Sequence, residues 1–381
     1  MNALLEKLKR MDWVLTGCIL ALVVMGTVFI WSAGSARQGV FQSIWITHAV
    51  TAAFGLALYF AFALVDYRRL LDVFATPAYV GALVLLVAVL LFGAEIYGGR
   101  RWLWFFQPSE ISKLAVILFV AHLFGRSGRE SFKWFLAGAL VLGVPALLIL
   151  KEPDLGTALV LVPAGTAMLL AARVWTKGLV ALLLVGLLAA GTVLGTVFIA
   201  EQTPDPARRA QIYAYLPLRA HQLKRLRVFL FPEEDLRGAG WNLRQAKLSI
   251  GSGGYAGKGI GKGELNHLKY LPPSISMNDF IFCVYAEETG FVGSVVLLTL
   301  FGLLLVSGCR VAAVATDERG RLLALGFSTL VFAHVYVNIA MSIGLVPITG
   351  LPLPFVSSGR TFLLTVMCGL GLIQSVSLHR E

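Results

Sequence analysis

The chain has 381 residues, of which 57% are hydrophobic and only 14% are charged, and its mean hydropathy is +0.79. A soluble domain usually carries about 25% charged residues, so this composition excludes an ordinary soluble protein. The net charge is +11, which in a membrane protein indicates basic loops beside anionic lipid and not nucleic-acid binding. The four cysteines lie in or beside apolar runs and predict buried thiols, with no disulfide framework and no metal site.

Ten apolar runs approach the length of about 20 residues that a helix needs to cross a bilayer. They cover residues 12–33, 42–65, 73–94, 110–125, 132–150, 155–173, 178–200, 279–309, 321–345 and 356–378. The first run exceeds the apolar core of a signal peptide, about 7–15 residues, so we interpret it as a retained helix. The sequence therefore predicts an all-α polytopic membrane protein with ten transmembrane helices, folded as one domain over residues 1–381.

The distribution of basic residues predicts the orientation of these helices. Lys and Arg are concentrated in the termini and the even-numbered loops, whereas the short loops on the other side carry only Arg37, Arg100, Arg101 and Lys151. The positive-inside rule then places both termini in the cytoplasm. Residues 201–278, between helices 7 and 8, become one large extracytoplasmic loop, because long loops translocate largely regardless of their charge.

Two segments of this loop carry recognisable patterns. Residues 219–231 place four apolar side chains on one helical face with basic residues around it, which predicts either a helix on the membrane surface or a helix that covers the bundle. Residues 251–263 are rich in glycine and contain Lys258 and Lys262. Such a run can be a flexible hinge or a backbone cradle for phosphate. Its position before Asp279 favours the cradle.

Asp279 is the strongest candidate for a catalytic residue. It stands where the polar loop ends and an apolar run begins. A carboxylate at the mouth of a membrane-spanning helix is costly unless it is solvated, paired or used. Its position predicts chemistry on a lipid-linked substrate at the membrane surface.

Other charged residues interrupt the apolar runs and are candidates for substrate binding or for structural pairing. Glu110 and Lys113 are three residues apart and share a helical face. Asp154 can cap the helix that follows it or help to hold a site. Arg360 begins the last helix, where a cation opposes the helix dipole and needs an anionic partner or lipid headgroups. Glu287 and Glu288 lie about 12–13 Å deeper than Asp279 along the same helix and are expected to bridge to another element.

Several ordered motifs carry a resemblance to a known family. They are Asp12-Trp13 to Ser32-Ala33, Arg100-Arg101-Trp102, Gln107-Pro108-Ser109-Glu110-x-x-Lys113, Pro153-Asp154-Leu155-Gly156-Thr157, the glycine run 251–263, Asn278-Asp279-Phe280-Ile281-Phe282 with Glu287-Glu288-x-Gly290, and Gly350-Leu351-Pro352-Leu353-Pro354-Phe355-x-Ser357. This set, spread over nearly the whole chain, resembles the SEDS family (shape, elongation, division and sporulation), and is closest to its RodA branch.

The resemblance implies a peptidoglycan glycosyltransferase of the cytoplasmic (inner) membrane that polymerises lipid II into β-1,4 glycan strands on the outer face during cell-wall elongation. It also implies a class B penicillin-binding protein as the cross-linking partner. The family's essential aspartate falls on Asp279. Substrate-binding roles fall on Arg101, Glu110, Lys113, Asp154, Lys258, Lys262, Ser357 and Arg360. The chain departs from the family pattern at Glu152, where Gln is common, and at Ser358-Gly359-Arg360.

The predicted mechanism is an inverting transfer in which Asp279 takes the proton of the attacking sugar hydroxyl. The leaving pyrophosphate needs cationic stabilisation, which basic side chains or a divalent cation, Mg²⁺ or Mn²⁺, can supply. Two other functions fit the same composition. A lipid II flippase would use buried charges such as Lys113 and Glu287 to line a path, and a non-catalytic scaffold for the penicillin-binding protein would not need Asp279.

Overall fold

The computed structural model describes residues 9–35, 39–96, 99–103, 106–126, 131–152, 154–216, 218, 220–235, 238–268 and 270–380. Within them, the first seven long helices follow one another with short connections. They are α1 (Trp13–Ser35), α2 (Ile44–Leu64), α3 (Tyr67–Phe92), α4 (Pro108–Phe124), α5 (Phe132–Lys151), α6 (Leu155–Ala171) and α7 (Thr176–Gln202). A short 3₁₀ turn, Gly39–Ser43, precedes α2, and a small antiparallel hairpin, β1 (Ala94–Ile96) with β2 (Gly99–Trp102), precedes α4.

The segment predicted as a long outer loop is largely helical. It contains α8 (Pro206–Ala214), α9 (Ala220–Leu230), a 3₁₀ turn at Pro232–Glu234, α10 (Ala239–Ser252), α11 (Glu264–His267) and α12 (Pro273–Ser276). Three long helices complete the chain: α13 (Ile281–Ala313), α14 (Glu318–Ser342) and α15 (Arg360–Leu378).

Each of the ten apolar runs overlaps one of these long helices. Among the described residues, eight helices are long and apolar enough to cross a membrane, while α4 and α6 have 17 residues each. The chain is therefore an all-α, multi-pass membrane protein. Its third helix starts earlier than predicted, at Tyr67, because Asp66 caps it by accepting from the Arg68 amide at 2.9 Å.

The bundle is built around α14 and α15, which are the most deeply buried of the eight described helices that are long enough to cross a membrane. Helix α15 packs along α2, and α14 packs against α6 and α13. Polar contacts add specificity between helices in an apolar solvent: the hydroxyl groups of Thr16 in α1 and Tyr59 in α2 are hydrogen-bonded at 2.8 Å, and both residues are buried. Helix α7 contrasts with the others, because it exposes most of its apolar side chains.

Helix α13 is broken at Gly290, whose φ of +67° and ψ of −160° are outside the helical region. The break removes hydrogen bonds from the backbone around it, and the glycine-rich run replaces them. The amides of Phe291 and Val292 donate to the carbonyls of Gly254 and Tyr255 at 2.9 and 3.2 Å. The carbonyl of Glu287 accepts from the Lys258 amide at 3.0 Å. Glycine suits this arrangement because it lets two backbones approach closely.

Candidate active site

Asp279 lies in the turn between α12 and α13, and Asn338 of α14 fixes that turn. The Asn338 amide donates to the carbonyl of Asp279 at 2.9 Å and to the carbonyl of Leu351 at 2.7 Å. Because Asn338 is fully buried in α14, it ties Asp279 to the connection between α14 and α15.

That connection forms the wall of the site beside the carboxylate. Ser357 donates its hydroxyl proton to the Asn278 carbonyl at 2.6 Å and accepts from the Leu353 amide at 2.8 Å. Gly350 has a φ of +76°, and a Cβ added there would lie 3.5 Å from Oδ2 of Asp279. The wall therefore leaves no room for a side chain at Gly350 without contact to the carboxylate.

Two guanidinium groups act on the Asp279 carboxylate. Burial raises the pKa of Asp279 to about 6, and Arg225 and Arg101 oppose that rise. Arg225 reaches the site from α9 and donates to the Thr349 carbonyl at 3.2 Å, while Arg101 comes from β2 and donates to the Glu152 carbonyl at 3.3 Å. Burial, together with repulsion from Arg101, lowers the pKa of Arg225. The amphipathic helix α9 therefore carries one of the cations of the site.

Asp154 and Glu152 lie near the two arginines and differ in their hydrogen bonding. Asp154 caps α6 by accepting from the Thr157 amide at 3.2 Å, and it also accepts from Gln107 at 2.9 Å and Ser109 at 3.2 Å. Glu152 is fully buried, and neither carboxyl oxygen has a hydrogen-bond partner in the described part of the chain. Burial, together with the charge of Asp154, raises the pKa of Glu152 to about 9 against the opposing effect of Arg101. Its carboxyl group is therefore neutral at pH 7.

Glu110 and Lys113 form a buried pair that continues to the wall of the site. Lys113 Nζ lies 2.8 Å from Glu110 Oε2 and 2.9 Å from His334 Nε2. Since an ammonium group only donates, His334 Nε2 must accept, and the ring carries its proton on Nδ1. Nδ1 lies 3.3 Å from the Pro352 carbonyl. Through His334, the pair therefore contacts the 350–357 connection at Pro352.

The two lysines of the glycine-rich run lie elsewhere. Lys258 Nζ binds Glu287 Oε1 at 2.8 Å and Glu264 Oε2 at 3.4 Å, and Lys262 is exposed. Glu287 also accepts from the Ser249 hydroxyl and the Glu264 amide, both at 2.8 Å. Thus Glu287 bridges to another element, as predicted. Neither lysine forms an ion pair with Asp279 in the described structure, and their roles toward substrate stay predictions.

Arg360 is exposed at the first position of α15, so its side chain is available to an anion or to headgroups.

The structure adds residues to the site that the sequence pattern had not assigned to it: Arg225, Asn338, His334 and Gly350. A polar amide inside the apolar run at Asn338 was the one available signal for that residue. The positions of Arg225 and Gly350 depend on contacts between segments far apart in sequence.

The arrangement offers a carboxylate that can accept a proton and two cations that can stabilise a phosphate-bearing leaving group. The described residues contain no group of three His, Cys, Asp or Glu side chains placed to hold a metal ion. A cation held by protein ligands alone therefore does not fit the described site.

Comparisons with known proteins agree with this fold. The model of the FtsW/RodA/SpoVE family, described as cell cycle proteins, matches residues 12–381. The peptidoglycan glycosyltransferase MrdB of Escherichia coli K12 is 36% identical over 95% of this chain and 92% of its own length. The peptidoglycan glycosyltransferase RodA of Treponema pallidum is 30% identical over 97% of this chain and 98% of its own.

Two solved structures share the fold. A chain from work described as "Structural coordination of polymerization and crosslinking by a peptidoglycan synthase complex" has a TM-score of 0.76 and 29% identity, over 97% of this chain and 99% of that one. The crystal structure of the rod shape determining protein RodA of Thermus thermophilus has a TM-score of 0.69 and 29% identity, over 97% of this chain and 98% of that one. The chain belongs to the FtsW/RodA/SpoVE family.

Proposed function

We propose that this protein is a peptidoglycan glycosyltransferase that polymerises lipid II into β-1,4 glycan strands. The observation that carries the proposal is Asp279, held by Asn338 beside Arg225 and Arg101 in a chain whose relatives are named peptidoglycan glycosyltransferases.

In the proposed reaction the 4-hydroxyl of the acceptor sugar attacks the anomeric carbon of the donor. The bond from that carbon to the pyrophosphate oxygen breaks, and the configuration inverts. Asp279 accepts the hydroxyl proton, for which a pKa near 6 keeps it ionised at neutral pH and close to the operating range of a general base. Arg101 and Arg225 stabilise the charge on the departing pyrophosphate, and the exposed Arg360 is a further candidate.

The proposed topology has ten spans in the cytoplasmic membrane, with both termini in the cytoplasm and Asp279 on the outer side. The basic short loops support this orientation, and the 17-residue helices α4 and α6 lie within the lower limit for a span. The region 201–278 then covers the site from outside as part of one domain.

The proposed partner is a class B penicillin-binding protein, and the proposed role is elongation. One structural relative comes from a peptidoglycan synthase complex that coordinates polymerization and crosslinking, and the Thermus relative is named a rod shape determining protein.

A divalent cation that arrives with the pyrophosphate remains part of the proposal. Loss of activity with EDTA and its return with Mg²⁺ or Mn²⁺ would test it.

The deciding experiment compares lipid II polymerisation by the wild type and Asp279→Asn, each with and without the transpeptidase. The isosteric amide cannot take the proton, so we expect no polymer from the variant. Asp205→Asn is the matched control, because Asp205 is exposed and caps α8, where Asn caps equally well. Near-normal polymer from a correctly folded Asp279→Asn protein would refute the catalytic role.

The same reconstituted system separates the two alternative functions. A flippase would move lipid II across the bilayer without forming polymer, and a scaffold would support cross-linking with Asp279 replaced. The structure gives Lys113 and Glu287 nearby partners, so these charges have a structural role that needs no transport path.

A further inference from the structure

Helix α10 carries a groove that the reaction described above does not use. Two cavities of about 240 and 280 Å³ lie on either side of a ridge formed by Trp241 and Leu248. The two ridge residues are seven apart, which places them on one face of the helix. Leu248 is 58% exposed, so the ridge is open to solvent.

The larger cavity combines aromatic and amide groups. Trp241 donates its indole proton to the Tyr270 backbone carbonyl at 3.3 Å, which fixes the indole at the cavity, and Tyr270 lines the same cavity. Gln245 lines the same cavity and is only 7% exposed. An amide both donates and accepts hydrogen bonds, so this group is suited to a ligand that does the same.

The smaller cavity adds positive charge. Arg244 and Lys247 line it and are exposed, and neither forms an ion pair with a described residue. Glu233 is the acidic residue of this cavity. Two cations next to an aromatic ridge match a ligand with carboxylate substituents, because Arg and Lys make their strongest hydrogen bonds to such groups.

The groove also lies close to the proposed reaction centre. Ser249 lines the larger cavity and donates to Glu287 Oε2 at 2.8 Å, and it lies 3.4 Å from the Cys283 carbonyl. Cys283 and Glu287 follow Asp279 by four and eight residues, or roughly 6 and 12 Å at the rise of a helix. The groove therefore adjoins the first turns of α13, which begins two residues after Asp279.

We propose that the α10 groove binds the product strand, with an N-acetylated sugar ring between Trp241, Tyr270 and Gln245 and its acidic substituent at Arg244 and Lys247. The ligand class is a β-1,4-linked N-acetylhexosamine chain with carboxylate-bearing side groups. This inference rests on the proposed function, since the product of that reaction is such a chain. Its chemistry is binding only, and Asp279 is not needed for it.

The test measures binding of two lipid-free probes to the full-length protein in nanodiscs by saturation-transfer NMR titration. One probe is the uncharged tetramer of β-1,4-linked N-acetylglucosamine, and the other is a soluble glycan fragment that carries acidic stem peptides. We expect Gln245→Leu and Trp241→Ala to weaken both probes. The double change Arg244→Gln and Lys247→Gln should weaken only the acidic probe, by about tenfold, the equivalent of one lost charge-assisted hydrogen bond.

Two control variants separate this proposal from the proposed function. Tyr215→Ala removes an aromatic side chain that is 88% exposed at the end of α8, outside the groove, and should leave binding unchanged. Asp279→Asn should bind both probes as the wild type does, even though it forms no polymer. The groove proposal is overturned if the wild type binds neither probe or if the Trp241 and Gln245 variants bind normally. It also fails if the groove variants lose only binding of a transpeptidase domain, because the groove would then belong to a protein partner.

Discussion

Asp279 combines two properties that act against each other. Burial makes its charged form costly, while Arg225 and Arg101 favour that form, and the balance leaves the pKa at about 6. A group in this state is ionised at neutral pH and is still basic enough to accept a proton.

This balance predicts the pH dependence of the reaction. Activity should rise with pH through a midpoint near 6, because the base works only when it is deprotonated. Arg225→Gln removes a cation that lowers the pKa of Asp279, so the rising limb should move to higher pH. Initial rates of lipid II polymerisation between pH 5 and 8.5 would measure both profiles; a limb that stays in place or moves down would contradict the assigned role of Arg225.

The raised pKa of Glu152 predicts how the stability of the folded protein depends on pH. Its pKa is raised from the ordinary 4.5 to about 9 in the folded protein, so the unfolded state releases the proton more readily. Its contribution to stability is complete below pH 4.5 and is lost as pH rises toward 9. Glu152→Gln keeps the shape and cannot ionise, and should raise the melting temperature at pH 8 by on the order of a few degrees.

The advantage of Glu152→Gln over the wild type should shrink as the pH falls toward 5, which thermal melts in detergent at several pH values can follow. Glu233→Gln provides the comparison, because Glu233 is exposed and should show little pH-dependent gain. An equal gain at pH 5 and pH 8 for Glu152→Gln would mean that its carboxyl group is ionised in the folded protein.

At the scale of elements, helices α4 and α14 are joined through Lys113, which has no exposed surface. Lys113→Met leaves Glu110 buried without its cation and should cost about 3–5 kcal/mol of stability. Adding Glu110→Gln removes the uncompensated charge, so the double variant should recover a large part of that loss. Thermal unfolding of the single and double variants, with exposed Lys133→Met as control, measures the effect; a double variant no more stable than the single one would count against the pairing.

The long helices could be predicted from sequence because each buries or exposes a continuous apolar run to lipid, and that property is local. The helix predicted at 219–231 is observed at Ala220–Leu230. The break at Gly290 could not be predicted, since it depends on backbone contacts with residues 254–259. The glycine run supplies those backbone contacts, and its role as a cradle for phosphate stays a prediction.

The residues of the candidate site also differ in how far the sequence could identify them. Asp279 could be identified because a carboxylate at the edge of a span is expensive and therefore informative. Arg101 was also assigned to the site. Arg225, Asn338 and Gly350, which are 54, 59 and 71 positions away from Asp279, could not be identified, because the local pattern of their segments does not place them beside it. Only the packing of α9, α14 and the 350–357 connection brings them to one place.

At the scale of the whole molecule, the proposed function requires Asp279 and the helices of the 201–278 region to face outward. Cysteine labelling tests this directly. Cys309 is exposed and the other three cysteines are buried, so Cys309→Ser should give a protein with little labelling of its native thiols. Tyr215→Cys places a thiol directly after α8 in the 201–278 region. Glu318→Cys places one at the first residue of α14, and both positions are exposed.

A membrane-impermeant maleimide should label Tyr215→Cys in intact spheroplasts and Glu318→Cys only after lysis. The two positions are separated by the span α13, because the chain enters that helix after the outer region and leaves it before Glu318. The reverse pattern would place Asp279 on the cytoplasmic side. Polymerisation outside the cell would then be impossible for this carboxylate, whatever its pKa, since the nascent strand would form on the wrong side of the bilayer.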